Sequence, residues 1–301
     1  MRALINPDFR RRAQLRGNPK ASLLDRMNHD VLAHNHYAYG MYYAAKQARA
    51  LGINEVTGIE FGVFNGDGLR SMEQIGWCIE QELGVRFDLY GFDTGEGMPP
   101  PTDPKDMGYI WTTGLFAPRR DLSKFLKRAK MIYGDVAKTV PQFLAEKKNT
   151  KGGALGPLAF VSIDVDYYSS TVPCLKVFEA VPELLLPRVY VYLDDTMGDD
   201  HELHCKYTGE LAAVEEFNDR NPTRKIAQIN GLRWKRKFPS PWNDQMFVAH
   251  IFDHPRFNDY VNPNWKPPTA EERARNAAAV PGSGASPVVV VNRQGEPAGA
   301  R

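Results

Sequence analysis

Between residues 56 and 252 the chain alternates short β-prone runs with helix-forming stretches, and this alternation limits the fold more than any other feature. Strands are expected at 56–61, 87–93, 129–133, 158–164, 188–194, 225–229 and 246–252, with helices at 67–83, 121–128, 137–147, 171–182 and 208–220. Parallel strands need long crossovers, and helical crossovers cover both sheet faces. Right-handed crossovers then give an α/β fold with a doubly wound, seven-stranded, mostly parallel sheet, Rossmann-like in plan. Only a loop containing Pro239 and Pro241 separates the last two strands, which should form an antiparallel pair at one edge.

The flanks read differently. Residues 1–24 are basic (Arg2, Arg10, Arg11, Arg12, Arg16, Lys20) without a clear period and read as a flexible arm. Residues 25–51 read as one helix, stopped by Gly52. Pro, Gly, Ala and Ser dominate from 263 to 301, which reads as a flexible tail with one helical turn near 269–278. A single functional domain is therefore expected over 25–262. With 301 residues and a net charge of +2, the chain can build a sizeable core and gives no bulk electrostatic reason to bind nucleic acid or a membrane. Three cysteines without CxxC spacing suit a reducing compartment, and no run approaches the ~20 apolar residues of a membrane span. No apolar core follows the basic N-terminus, so a cytoplasmic protein is expected; a homo-oligomer is left open.

The segment "GIEFGVFNGDGLRS" (58–71) runs from an apolar strand into Gly62, Gly66 and Gly68, with Glu60 inside the apolar part. A strand, a glycine turn and a helix N-terminus form a nucleotide-binding arrangement, because glycine admits positive φ and lets a ligand approach the main chain. The spacing is not GxGxxG, and an acid two residues before the first glycine would repel a pyrophosphate but suit an ammonium group. "FDLYGFDTGEGMP" ends the second strand with Asp93, where an acid accepts hydrogen bonds from ribose hydroxyls. Asp135, after the third strand, is placed either to meet an adenine amino group or to cap the next helix. Together these residues describe an adenosine ligand with an amino-acid-like head.

Two later strand ends carry paired acids: Asp164 and Asp166 in "FVSIDVDYYSSTVPCL", and Asp194 and Asp195 in "VYVYLDDTMGDDHELH". Both ends face the ligand crevice of such a sheet, and like charges this close raise one another's pKa unless neutralised. A divalent cation is the simplest neutraliser, and oxygen ligands favour Mg²⁺, Ca²⁺ or Mn²⁺ over zinc. His201 and His204 follow nearby, as loop residues or as additional ligands or bases.

"GIEFGVFNGDG" resembles motif I of class I S-adenosylmethionine-dependent methyltransferases. Together with "GFDTGEGMP", "GDVAKTVP", "DVDYYSST" and "YLDDT", in order over about 30–235, the chain resembles the macrocin O-methyltransferase (TylF-type) family of metal-dependent sugar O-methyltransferases. The resemblance implies Mg²⁺ or another hard divalent cation on Asp164, Asp194 and Asp195, and Asp166 as general base. It implies S-adenosylmethionine on Glu60, Gly62, Gly66, Gly68 and Asp93. The chain has Asp194-Asp195-Thr196 where the family usually has Asp-Asp-Tyr, and its segment 197–207 is longer.

The expected activity is methyl transfer to a hydroxyl of a saccharide or glycosylated natural product, a small-molecule or saccharide acceptor, with loop 94–120 as a lid and Trp111, Tyr167 and Tyr168 available to stack on a ring. Three alternatives remain: a catechol-like phenol as acceptor, a nicotinamide-dependent oxidoreductase on a Rossmann domain, or a binding protein that has lost catalysis.

Overall fold

The computed structural model describes residues 7–16, 18, 20–149, 156–259, 269–272 and 275. Its elements run α1 (Pro7–Arg16), α2 (Leu23–Asn28), α3 (Asn35–Ala50), β1 (Glu55–Phe61), α4 (Asp67–Leu83), β2 (Arg86–Asp93), α5 (Leu122–Phe125), β3 (Lys130–Tyr133) and α6 (Val136–Asn149). They continue with β4 (Leu158–Ile163), α7 (Tyr168–Cys174), β5 (Leu185–Leu193), α8 (Gly209–Arg220), β6 (Arg224–Gln228), α9 (Leu232–Lys235) and β7 (Met246–Ile251).

The seven strands form one sheet in the order β3-β2-β1-β4-β5-β7-β6. β1 to β5 are parallel, and β7 runs antiparallel to both β5 and β6. The expected doubly wound sheet with an antiparallel edge pair is what forms. The final strand is not the outermost one, because β7 inserts between β5 and β6.

Alternation along the strands divides the core into two layers. Ile59 and Phe61 of β1 and Val161 and Ile163 of β4 face Phe143, Phe178 and Phe217 of the α6–α8 side. Phe160 faces Met41 and Leu69 on the α3–α4 side. Strand parity therefore sends Glu60 and Ser162, paired across β1 and β4, toward α3.

Three helical expectations differ in extent. The helix expected over 25–51 is two helices, because Asp30 takes a left-handed φ of 53° and the chain turns before restarting at Asn35. The helix expected over 171–182 starts three residues earlier and gives way to a tighter turn over Leu175–Glu179, just after Pro173 removes a backbone donor. That expected over 121–128 is a single turn, α5.

The described part of the basic arm is a packed helix, not an irregular segment. Leu15 is buried, Asp8 pairs with Lys237, and the Arg12 guanidinium lies 4.8 Å from the Phe238 ring centre. Arg11 pairs with Asp25 and the Arg12 guanidinium donates to the Asp30 carbonyl, so these two charges tie the helix to the chain that follows. Most of the tail from 263 lies outside the described residues; within it, Thr269 accepts from the Glu272 N–H at 3.2 Å at the start of a short helical stretch. Among the described residues no helix is long and apolar enough to cross a membrane.

Candidate active site

The strand ends are held level, and that alignment builds the site. The Gly62 N–H donates to the Phe92 carbonyl, Asp164 N–H to Phe61 and Asp194 N–H to Ile163, each at 3.0 Å. The first residues beyond β1, β4 and β5 therefore sit side by side, next to Asp93 at the end of β2. Chain direction across the sheet reverses between β1 and β4, which opens a crevice there. A cavity of about 830 Å³ fills it.

Gly62 borders this cavity with a φ of +78°, and a Cβ there would lie 1.7 Å from the Asp164 carbonyl oxygen. The turn beyond it is fixed by Asp93. Its Oδ2 accepts from Val63 N–H (2.8 Å) and Phe64 N–H (3.0 Å), and its Oδ1 from Gly95 N–H (2.7 Å). Asp93 also lines the cavity, so one carboxylate shapes the glycine loop and faces its contents. Asp135 has both positions foreseen for it: it accepts from the Ala137 N–H at 2.9 Å in the first turn of α6, and it lines the cavity.

Glu60, Gly66 and Gly68 lie beneath the loop, away from the cavity lining. Gly66 caps α4 in a left-handed conformation. Gly68 leaves room for Glu60, since a Cβ on it would stand 2.1 Å from Glu60 Oε1. Glu60 is 2% exposed, accepts from Tyr37 OH at 2.8 Å and takes a bond from the Leu69 backbone in the first turn of α4. Its Oε2 has no partner among the described residues. Burial pushes its pKa up to about 8, against the pull of those bonds.

On the other side of the crevice, oxygens of Asp164, Asp194 and Asp195 lie within 4.8 Å of one another. Burial first, then the charges of Asp194, Asp195 and Asp166, raise Asp164 well above the usual carboxylate range. Burial and the charges of Asp166 and Asp194 do the same to Asp195. Asp166 is pushed up to about 7, by burial and by Asp194. Its backbone has a left-handed φ of 59°, uncommon for a residue with a Cβ, and its N–H donates to Asp195 Oδ2 at 2.8 Å. An all-oxygen group this dense suits a hard divalent cation.

Several contributors carry no sequence motif. Tyr192 OH donates to Asp194 Oδ1 at 2.6 Å, and Gln245, just before β7, donates to the Asp194 carbonyl and lines the cavity. Glu210, fully buried in the first turn of α8, accepts from the Asp195 N–H at 3.2 Å. Asp106 is 1% exposed and accepts from Thr102 N–H, Asp103 N–H, Ser169 N–H and Ser169 Oγ. It ties loop 94–120 to the start of α7. The loop's Met98, Pro99, Pro100, Trp111 and Phe116 wall the cavity, with the Trp111 and Phe116 ring centres 5.5 Å apart.

Tyr167 and Tyr168 do not serve as stacking platforms in the cavity. Tyr167 is fully buried in the core, and Tyr168 turns away to Glu216 (2.7 Å) beneath the Lys105 ammonium. Of the two histidines left open, His201 is exposed and its N–H donates to Asp199 Oδ1, whereas His204 Nε2 stands 3.4 Å from Glu202 Oε2. Glu202 lines the cavity.

Several solved methyltransferase structures are similar to this chain. CalS11, described as a calicheamicin methyltransferase, is 21% identical over 82% of this chain and 91% of its own, with a TM-score of 0.49. An apo structure of CalS11, described as a TDP-rhamnose 3'-O-methyltransferase, is 20% identical over 82% and 93%, with a TM-score of 0.40. The S-adenosylhomocysteine-bound methyltransferase PaMTH1 of Podospora anserina is 12% identical over 82% and 88%, with a TM-score of 0.38. No family model and no curated protein matches the chain.

Proposed function

We propose that the protein is an S-adenosylmethionine-dependent O-methyltransferase, assisted by a hard divalent cation and acting on a hydroxyl of a saccharide or glycosylated small molecule. One observation carries this reading. The Asp164, Asp194 and Asp195 oxygens cluster in the same cavity that Gly62 and Asp93 border. A nicotinamide oxidoreductase has no use for that cluster, and a binding protein without catalysis has no reason to keep such costly charge.

S-adenosylmethionine, when bound, supplies a sulfonium methyl group whose departure leaves a neutral thioether. A cation on Asp164, Asp194 and Asp195 supplies Lewis acidity that makes an acceptor hydroxyl easier to deprotonate. Asp93 and Asp135 face the cavity where ribose and adenine would lie, whereas Glu60 is buried beneath the glycine loop and off the cavity lining. Asp166, which lines the same cavity, takes the proton released by the acceptor hydroxyl onto a side-chain oxygen. Trp111 and Phe116 cover the acceptor and exclude water. They would hold a catechol ring as readily as a sugar, so a phenol is the second acceptor class to assay. Three free cysteines fit a reducing, cytoplasmic setting.

The test is calorimetric titration with S-adenosylhomocysteine, with NAD in parallel, followed by methyl transfer to glycosides and catechols with Mg²⁺ or a chelator. Homocysteine-product binding with chelator-sensitive transfer supports the reading. NAD binding alone overturns it.

A further inference from the structure

Six aspartates and Glu202 line the cavity, and among the described residues no lysine, arginine or histidine does. The reading above uses the aspartates for donor, cation and proton. Glu202 has no part in it, yet it is built in with care. Its Oε2 lies 3.4 Å from His204 Nε2 and accepts from the Asp199 N–H at 3.3 Å. The His204 side chain is only 4% exposed, with its Nδ1 buried and unpartnered among the described residues. Gly198 makes way for the carboxylate, since a Cβ there would stand 1.5 Å from Glu202 Oε2. Glu202 lines the same cavity as Asp166, Asp194 and Asp195, within range for its charge to raise the pKa of Asp166 and Asp195.

A fixed carboxylate there acts in two ways. It accepts hydrogen bonds from hydroxyl or ammonium groups. In a low-dielectric cleft already rich in negative charge, it also opposes any further anion, and repulsion of this kind is an effective source of specificity. One bound dication and one sulfonium would leave the cavity net negative even with some of its acids protonated.

We propose that Glu202, held by the Asp199 N–H beside His204, selects the acceptor: it binds hydroxyl or ammonium groups of an uncharged or amine-bearing glycoside and excludes acceptors that carry phosphate, sulfate or carboxylate. This rests on the methyltransferase reading. It places the enzyme after the glycosyl group has left its nucleotide carrier, so the reaction that supplies its substrate is a glycosyl transfer.

The experiment titrates thymidine-diphospho-rhamnose into the full-length protein already saturated with S-adenosylhomocysteine, with and without Mg²⁺. The wild type is expected to show no saturable binding below about 1 mM, and Glu202→Lys to bind at least about tenfold more tightly. Should the lysine variant fail to fold, Glu202→Gln gives the same test with a smaller gain. Tight binding by the wild type, or equal binding by wild type and variant, overturns the selection by Glu202. Failure to bind S-adenosylhomocysteine in the first step overturns the methyltransferase reading itself, and the two failures are thereby told apart.

Discussion

The backbone N–H of Asp166 donates to Oδ2 of Asp195 at 2.8 Å. The bond joins the residue after β4 that we assign to proton transfer with the residue after β5 that we assign to the cation. It holds Asp166 in its left-handed conformation and occupies one lone pair of Asp195, so the two functions are set by one geometry. Asp195→Ala should therefore cost more than Asp194→Ala in kcat, because it removes a cation ligand and releases Asp166. Both variants should keep S-adenosylhomocysteine affinity within about threefold, as Asp93 and the glycine loop are untouched. Methyl-transfer rates alongside calorimetry check this, and full activity of either variant with Mg²⁺ would remove the cation assignment.

Glu60 makes stability fall as pH rises. Its folded pKa of about 8 lies above the ordinary carboxylate value, so the folded chain holds a proton that the unfolded chain releases between roughly pH 4.5 and 8. Stability from this group is full below the lower value and lost progressively as pH rises to the upper one, on the order of 5 kcal/mol in all. Glu60→Gln should flatten that part of the denaturation profile.

Gly62→Ala should destabilise the domain by about 3 kcal/mol or more, because the new Cβ meets the Asp164 carbonyl at 1.7 Å and φ is +78°. Gly84→Ala is the control: its φ is +68° but nothing lies within 4 Å of the added carbon, so only the backbone cost of about 1 kcal/mol applies. Melting temperatures of the two variants should separate clearly, and equal losses would mean that the close approach at Gly62 relaxes.

Asp106→Ala should loosen loop 94–120 without unfolding the sheet. It removes the acceptor for four hydrogen bonds, including both that reach Ser169. Limited proteolysis should cut the variant within 94–120 faster than the wild type, and the acceptor KM should rise about tenfold or more. An unchanged cleavage pattern would show that the ladder between Met98 and Leu115 holds the loop by itself.

β1, β2, β4 and β5 were legible because each is a mostly apolar run closed by an acid or a glycine, and all seven strands fall within a few residues of their expected ranges. The aspartates at their ends were legible for the same reason. What the sequence hides is whatever depends on a partner far along the chain. Asp30 looks like any helical surface acid, and only its left-handed backbone and its bond from Trp242 Nε1 (3.0 Å) reveal the break between α2 and α3. Tyr168 follows a site motif, yet Lys105 and Glu216 draw it off the cavity. Glu202 and Gln245 are single polar residues in irregular segments, with no period or repeat to mark them.

The place of β7 also governs how the chain is assembled in time. The strand made last is an interior strand of the sheet, wedged between two that precede it. Until about residue 251 has been synthesised, β5 has an open edge beside the residues that lead to Asp194, and Gln245 is not yet there to hold that carbonyl. Such late, long-range pairing is slow and leaves a sticky edge exposed meanwhile. A nascent chain should therefore gain its glycine loop well before its acidic cluster, and truncation inside β7 should yield a protein that aggregates instead of one that merely works less well.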